Sequence, residues 1–188
     1  MFRKINPNYL TGFGLTLVPF MVIAHQIDGI EGLTVCLALL LLREGADIAD
    51  GLIARRAKMV TDLGKLIDPL FDSIAKITLF FSFAASGWMD IWMLAIICLR
   101  DLFIAYVRAF LTTKGIVLAA RSSGKYLHAL PQSLAQILII FGYLLVELGV
   151  SLPMEEISWT LLFIATMCTA TTIFDYLYAA YAQINGIS

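Results

Sequence analysis

The chain has 188 residues, 60% of them hydrophobic and only 14% charged, with a mean hydropathy of +0.87. Soluble globular domains hold about 45–50% apolar and about 25% charged residues, so a soluble enzyme, a disordered chain and a nucleic-acid binder are poor readings and a membrane protein leads. A formal charge of −1, from 13 Lys+Arg against 14 Asp+Glu, points to no polyanionic or polycationic partner.

The N-terminal stretch resembles no cleaved signal: its first apolar run has no small-x-small site and reaches membrane-spanning length. A transmembrane helix needs about 20 mostly apolar residues. Six stretches qualify, at roughly 8–25, 32–54, 66–87, 90–112, 127–149 and 156–182. The expected fold is an all-α integral membrane protein of six transmembrane helices. Short connections and the lack of a linker, low-complexity tract or repeat make residues 1–188 one domain.

With the N-terminus in the cytoplasm, the inner segments carry Arg3, Lys4, Arg55, Arg56, Lys58, Lys65, Lys114, Arg121 and Lys125. The outer loops carry Asp28, Glu31, Asp90, Glu147, Glu155 and Glu156 without a Lys or Arg. Positive charge concentrates on the cytoplasmic side of membrane proteins, so this sorting sets the orientation. Trp88, Trp92 and Trp159 fall near the predicted outer ends and suit an interfacial aromatic belt. Cys36, Cys98 and Cys168 sit inside apolar runs and read as small hydrophobes, with no disulfide or metal framework.

Charges inside spans are costly and mark function. The second span ends in Arg43-Glu44-Gly45-Ala46-Asp47-Ile48-Ala49-Asp50-Gly51, and the third opens Gly64-Lys65-Leu66-Ile67-Asp68-Pro69-Leu70-Phe71-Asp72. Asp47 and Asp50 (i, i+3) share a helix face, as do Asp68 and Asp72 (i, i+4). A short basic loop brings both pairs to one end of a helical hairpin. Four carboxylates there would repel one another without a cation among them, and hard oxygen ligands suit Mg²⁺ or Mn²⁺. Paired structural charges are the alternative. Gly51 and Gly64 either let a ligand approach closely or allow tight helix packing.

The series Asp47-x-x-Asp50-Gly51-x-x-Ala54-Arg55, then eight residues, then Gly64-x-x-x-Asp68-x-x-x-Asp72 resembles the signature of the CDP-alcohol phosphotransferase family, with every fixed position present. The family moves a phosphatidyl or similar group from a CDP-linked lipid to an alcohol and releases CMP. The resemblance implies two divalent cations, Mg²⁺ or Mn²⁺, held by Asp47, Asp50, Asp68 and Asp72, with Asp72 also the general base on the acceptor hydroxyl. It places Asp50, Gly51, Ala54, Arg55 and Gly64 at the cytidine diphosphate. It further implies a six-helix core, a site facing the cytoplasm and a homodimer. No Ser/His/Asp or Cys/His nucleophile arrangement is evident, so direct displacement is the simplest chemistry.

The fourth span holds Arg100, Asp101 and Arg108, and Arg121 and Lys125 follow in the next loop. Arg100 and Arg108 lie within about a quarter-turn of each other around a helix. Converging arginines suit a phosphate, which favours an acceptor that already carries one, although Arg100 could instead pair with Asp101 and Arg121 and Lys125 could be ordinary inner-loop charges. The series resembles phosphatidylglycerophosphate synthases, which join CDP-diacylglycerol to sn-glycerol 3-phosphate. The chain departs from that group in three places. Phe13-Gly14-Leu15 stands where an arginine is usual. Ser73 stands where a lysine is usual, with Lys76 a turn later. Gly124-Lys125-Tyr126-Leu127-His128 stands where Gly-Lys-x-Lys-Thr is usual. Tyr106-x-Arg108-Ala109 is closer to the inositol-phosphate branch, which stays as an alternative acceptor.

Arg43 shares a face with Asp47 and reads as its counter-ion or as an acceptor-phosphate ligand. His25 closes the first span on the outer side and reads as no ligand, His128 reads as packed or interfacial rather than catalytic, and Asp175-Tyr176 either makes a hydrogen bond that orders the bundle or contacts a cationic site residue. A cation transporter is the rival from another class, but transporters hold their carboxylates near the bilayer midplane, whereas Asp50 and Asp72 lie close to a basic loop. A membrane scaffold has no use for four aspartates at this spacing.

Overall fold

A computed structural model describes residues 7–57, 62–113 and 129–184, and the side chains within 14–49, 70–113 and 129–184. The described residues form six α-helices and no strand: α1 (Pro7–His25), α2 (Gly29–Ala57), α3 (Asp62–Ala85), α4 (Ile91–Thr113), α5 (Leu130–Glu147) and α6 (Met154–Ile184). Proline opens α1 and lies in the first turn of α5, where its missing N–H would have had no partner. Helices α3 and α5 end in the same way. Gly87 and Gly149 adopt φ of 76° and 91°, and the residues after them fold back, Trp88 N–H onto the Phe83 carbonyl and Val150 N–H onto the Leu145 carbonyl, both at 2.9 Å. This is the glycine-terminated cap that satisfies the last carbonyls of a helix.

The connections 26–28, 86–90 and 148–153 meet at one end of the bundle. Gln26 Nε2 donates to Ser82 Oγ at 3.0 Å, and Trp88 stacks on Tyr143 with centroids 3.7 Å apart. Trp92 and Trp159 both donate to Asp90 Oδ2, at 3.1 and 3.0 Å. These connections carry acids and no Lys or Arg, in keeping with the charge sorting. Trp88 is half-buried at this end, in ring contact with Phe83, Tyr143 and His25 and packed against the core. Trp92 and Trp159 remain exposed at the bundle end.

Helix α3 occupies the centre. Helix α1 packs on α2 and α3, α3 also meets α4 and α5, α2 packs on α5, and α6 packs on α4 and α5. Leu79, Phe80 and Phe83 of α3 are fully buried among Cys36 and Leu40 of α2, Met93 and Ile97 of α4, Ile139 and Ile140 of α5 and Leu162 of α6. The three cysteines are free thiols, as their apolar settings predict. Helix α6 turns Ser158, Thr166, Thr169 and Thr172 inward and leaves Ile164, Phe174, Leu177 and Tyr178 on the outside. Small polar residues between helices and apolar residues outside are the reverse of a soluble helix and suit packing within lipid.

Among the described residues two helices, α5 and α6, are long and apolar enough to cross a membrane, and Gly14–His25 is a shorter apolar stretch. The sequence reading of six spans is thus matched by six helices, of which two meet the length and hydropathy standard. In α2 and α4 the difference has a direct cause: α2 carries Arg43, Glu44 and Asp47, and α4 carries Arg100, Asp101 and Arg108, the charges that mark function.

Among the described glycines, Gly32 has other backbone atoms nearest to it. A Cβ built there would lie 2.0 Å from the Ile27 carbonyl oxygen and 2.7 Å from that of Ala24. Neither oxygen is on a flexible side chain. Gly32→Ala is expected to lower stability by about 1–3 kcal/mol, read as a fall in the thermal midpoint of the purified protein. Gly45→Ala, which meets nothing within 4 Å, should be neutral or slightly stabilising. An unchanged midpoint for Gly32→Ala would contradict the close approach.

Candidate active site

The C-terminal half of α2 and the N-terminal half of α3 carry the sequence motif. Asp47, Asp50, Gly51, Ala54 and Arg55 lie on α2, and Gly64, Asp68 and Asp72 on α3. The side chains of Asp50, Arg55 and Asp68, and the surroundings of Gly51, Ala54 and Gly64, lie outside the described residues. Arg121, Lys125 and His128 lie outside them altogether. Asp47 is exposed and within electrostatic reach of Asp72, Lys76 and Arg43.

Asp72 is the best-defined carboxylate of the four. Its Oδ1 accepts from Arg43 Nη2 at 2.5 Å and its Oδ2 from Lys76 Nζ at 2.7 Å. Arg43 reaches across from α2, while Lys76 stands one turn along α3 from Asp72, where i, i+4 partners meet. Both cations are deeply buried, Arg43 at 4% and Lys76 at 3% exposed. Arg43 also donates to the neighbouring Glu44. The counter-ion reading of Arg43 thus needs correction: its guanidinium goes across the helix pair to Asp72 and not to Asp47. The geometry explains why. Asp47 points outward, whereas Arg43 and Asp72 face each other in the interface. The i, i+4 spacing of Asp72 and Lys76 is a signal the sequence offers for the second contact.

A polar path continues from this cluster into the bundle. Gln136 Nε2 donates to the Lys76 carbonyl at 2.9 Å and Gln132 Nε2 to Thr169 Oγ1 at 3.0 Å, both buried. On α4, Arg100 is 5% exposed; its Nε donates to Thr172 Oγ1 at 2.8 Å and its Nη1 to Asp101 Oδ1 at 2.7 Å. The alternative of a structural Arg100–Asp101 pair is therefore present in the fold. Arg108 Nη2 donates to Tyr176 Oη at 2.5 Å, and the Tyr176 ring lies beneath both guanidiniums, 5.6 Å from Arg100 Cζ and 5.1 Å from Arg108 Cζ. The quarter-turn spacing does bring the two arginines onto one face. Arg108 Nε is buried with no partner among the described residues. Of the two readings of Asp175-Tyr176, contact with a cationic site residue is the one the fold contains for Tyr176, and the partner is Arg108. Gln132, Gln136, Thr169 and Thr172 gave no signal beyond lying in apolar helices.

Among the described residues no group of three or more His, Cys, Asp or Glu forms a ready metal site. The donor set still fits Mg²⁺ or Mn²⁺ in kind: Asp47 and Asp72 offer hard oxygens, and Asp50 and Asp68 stand on the same two helices at i+3 and i−4 from them.

A family model described as CDP-alcohol phosphatidyltransferase matches residues 4–172. The chain belongs to this family. Its relatives include a protein of Yersinia pestis (strain Pestoides F), 27% identical over 183 residues that cover 95% of this chain and 96% of the relative. Another is from Pectobacterium atrosepticum, 27% identical over 179 residues and 93% of each chain. A third is from Bacillus subtilis (strain 168), 27% identical over 185 residues, 90% of this chain and 92% of the relative. All three are named CDP-diacylglycerol–glycerol-3-phosphate 3-phosphatidyltransferase. As a member of the family the chain is an enzyme, a phosphatidyltransferase of phospholipid synthesis. The aspartate signature and the matched region coincide, since the motif at 47–72 lies wholly inside it.

The Arg100 contacts generate a test of structure apart from turnover. Removing one partner of a buried ion pair costs about 3–5 kcal/mol. Arg100→Leu is expected to lower stability by that order, measured by thermal or denaturant unfolding. Arg108→Leu, half-buried and bonded to a neutral hydroxyl, should cost about 1 kcal/mol. Equal losses would contradict the different surroundings of the two arginines.

Proposed function

We propose that the chain transfers the phosphatidyl group of CDP-diacylglycerol to sn-glycerol 3-phosphate and releases CMP. The observation that carries this is the Asp72 carboxylate, held by Arg43 of α2 and Lys76 of α3 and within electrostatic reach of Asp47. The acceptor hydroxyl gives its proton to Asp72 as its oxygen attacks the lipid-bearing phosphorus. The bond from that phosphorus to CMP breaks, and CMP leaves with the electron pair. A base within hydrogen-bond reach of the reacting hydroxyl is what this step needs. Gly51, Ala54, Arg55, Gly64 and Asp50 form the cytidine diphosphate pocket. Arg100, Arg108, Arg121 and Lys125 receive the acceptor phosphate, with Tyr176 supporting the first two. Two divalent cations, Mg²⁺ or Mn²⁺, held by Asp47, Asp50, Asp68 and Asp72, would neutralise the donor diphosphate and stabilise the departing charge.

The reading includes one domain over residues 1–188 with six transmembrane helices in the cytoplasmic membrane. The N-terminus and the site face the cytoplasm, and the family resemblance extends to a homodimer. Helix length supports the site's depth. From Gly29 to Asp47 a helix rises about 27 Å, nearly the 30 Å of the hydrocarbon core, so the carboxylates lie near one membrane face and not at the midplane of a transporter. The names of near full-length relatives support sn-glycerol 3-phosphate as the acceptor. The departures at Gly14, Ser73 and residues 124–128, with Tyr106-x-Arg108-Ala109, support a second reading, in which inositol phosphate or another alcohol takes its place.

CMP release from CDP-diacylglycerol, with Mg²⁺ or Mn²⁺ and a panel of alcohols, tests both. CMP with sn-glycerol 3-phosphate is the expected result; CMP with inositol phosphate alone would transfer the function to the second reading, and none with any acceptor would sink both. Asp72→Asn is expected to lower kcat per folded protein by about 10²-fold or more, and to lower stability as well by leaving Arg43 and Lys76 without their anion. Near-normal turnover would remove Asp72 as the base. Arg108→Ala should chiefly raise the KM for the phosphorylated acceptor, and an unchanged KM would take Arg108 out of that pocket.

A further inference from the structure

Two buried cations on one carboxylate are more than a structural pair requires. Arg43 and Lys76 occupy one oxygen of Asp72 each, so Asp72 has no oxygen without a cationic partner. The role proposed above needs one of those oxygens, to take a proton or to face a metal. Each oxygen keeps a second lone pair, but a cation on both weakens Asp72 as a base, so exchange of one cation for a substrate anion would ready it for transfer. Lys76 is the poorer candidate: it shares a helix with Asp72 at i, i+4, and its own carbonyl is tied to Gln136 on α5. Arg43 comes from the other helix, so its contact depends only on the side chain.

An arginine 4% exposed cannot leave one anion for water or for lipid, because an unpaired charge in that setting is costly. It needs another anion in the same place. The substrates bring such anions, the phosphate of the acceptor or the diphosphate of the donor, and the planar guanidinium fork matches phosphate oxygens two at a time. The backbone allows for the side chain. Arg43 Cγ would lie 3.7 Å from a Cβ built on Gly14 of α1, so the arm runs along a strip of α1 that carries no side chain.

We propose that Arg43 is a ligand for a substrate phosphate, and that Asp72 holds that phosphate's place while no substrate is bound. The inference rests on the role of Asp72 given above. Arrival of the phosphate draws Arg43 from Oδ1 and leaves Lys76 on Oδ2. Asp72 is then free at one oxygen only when a substrate is seated, which links phosphate recognition to readiness for transfer.

The full chain with Arg43→Ala or Arg43→Lys provides the test, the lysine keeping a positive charge opposite Asp72 for folding. The first readout needs no turnover. Inorganic phosphate is titrated against the thermal midpoint, which rises when a ligand binds the native state. The wild type is expected to gain stability with phosphate, Arg43→Ala to lose that gain, and Arg43→Lys to retain part of it. The second readout is kinetic and identifies the source of the phosphate. A rise of about tenfold or more in the KM for sn-glycerol 3-phosphate assigns it to the acceptor; the same rise in the KM for CDP-diacylglycerol assigns it to the donor. Phosphate-dependent stabilisation that survives in Arg43→Ala with both KM values unchanged would overturn the proposal and leave Arg43 a counter-ion alone. A wild type that phosphate does not stabilise would overturn it too. A wild type that phosphate stabilises but that releases no CMP with any acceptor would instead sink the proposed reaction.

Discussion

The structure depends on how a few charges are neutralised inside an apolar bundle, and the central case is Asp72 between Arg43 and Lys76. Each of these groups is expensive to bury alone. Together they link α2 to α3 through side chains, with both oxygens of the carboxylate satisfied. The central helix α3 then serves two purposes. Its Leu79, Phe80 and Phe83 fill the core, and one turn away Lys76 and Asp72 carry the charges of the site.

The same economy governs the far side of the bundle. Arg100 reaches Thr172 and Asp101, Arg108 reaches Tyr176, and the Tyr176 ring underlies both. Thr169, Thr172 and Tyr176 share the inner face of α6, and Gln132 and Gln136 line α5 opposite. A polar seam thus runs from the motif helices to the arginines of α4 through residues that are individually unremarkable. Its energetic margin is small. Hydrogen bonds between membrane helices contribute about 0.6–2 kcal/mol each, so the seam directs side chains more than it holds helices together.

The sequence makes the helical class legible because apolar runs of spanning length are hard to produce by chance, and the described residues form six helices. The aspartate motif is legible because its residue types and spacing are fixed together, and the family match over residues 4–172 agrees with it. Partner choice is less legible. Arg43 shares a helical face with Asp47, yet its partner is Asp72, because pairing across helices depends on the rotation of α2 against α3, which helical periodicity within one chain segment does not encode. Trp88 has the position of a belt residue but stacks on Tyr143, since the turn at Gly87 folds it back over the end of α3. Gln132 and Thr169 lie in runs whose period is apolar, and only the packed bundle brings them together.

The central claim is that these buried charges serve phosphatidyl transfer to a phosphorylated alcohol. Mass spectrometry of the lipid made by the purified protein from CDP-diacylglycerol and sn-glycerol 3-phosphate tests it most directly. The account predicts phosphatidylglycerophosphate, formed in step with CMP and lost in Asp72→Asn. Unchanged CDP-diacylglycerol in the presence of acceptor and divalent cation, or the same lipid product from Asp72→Asn at the wild-type rate, would contradict it.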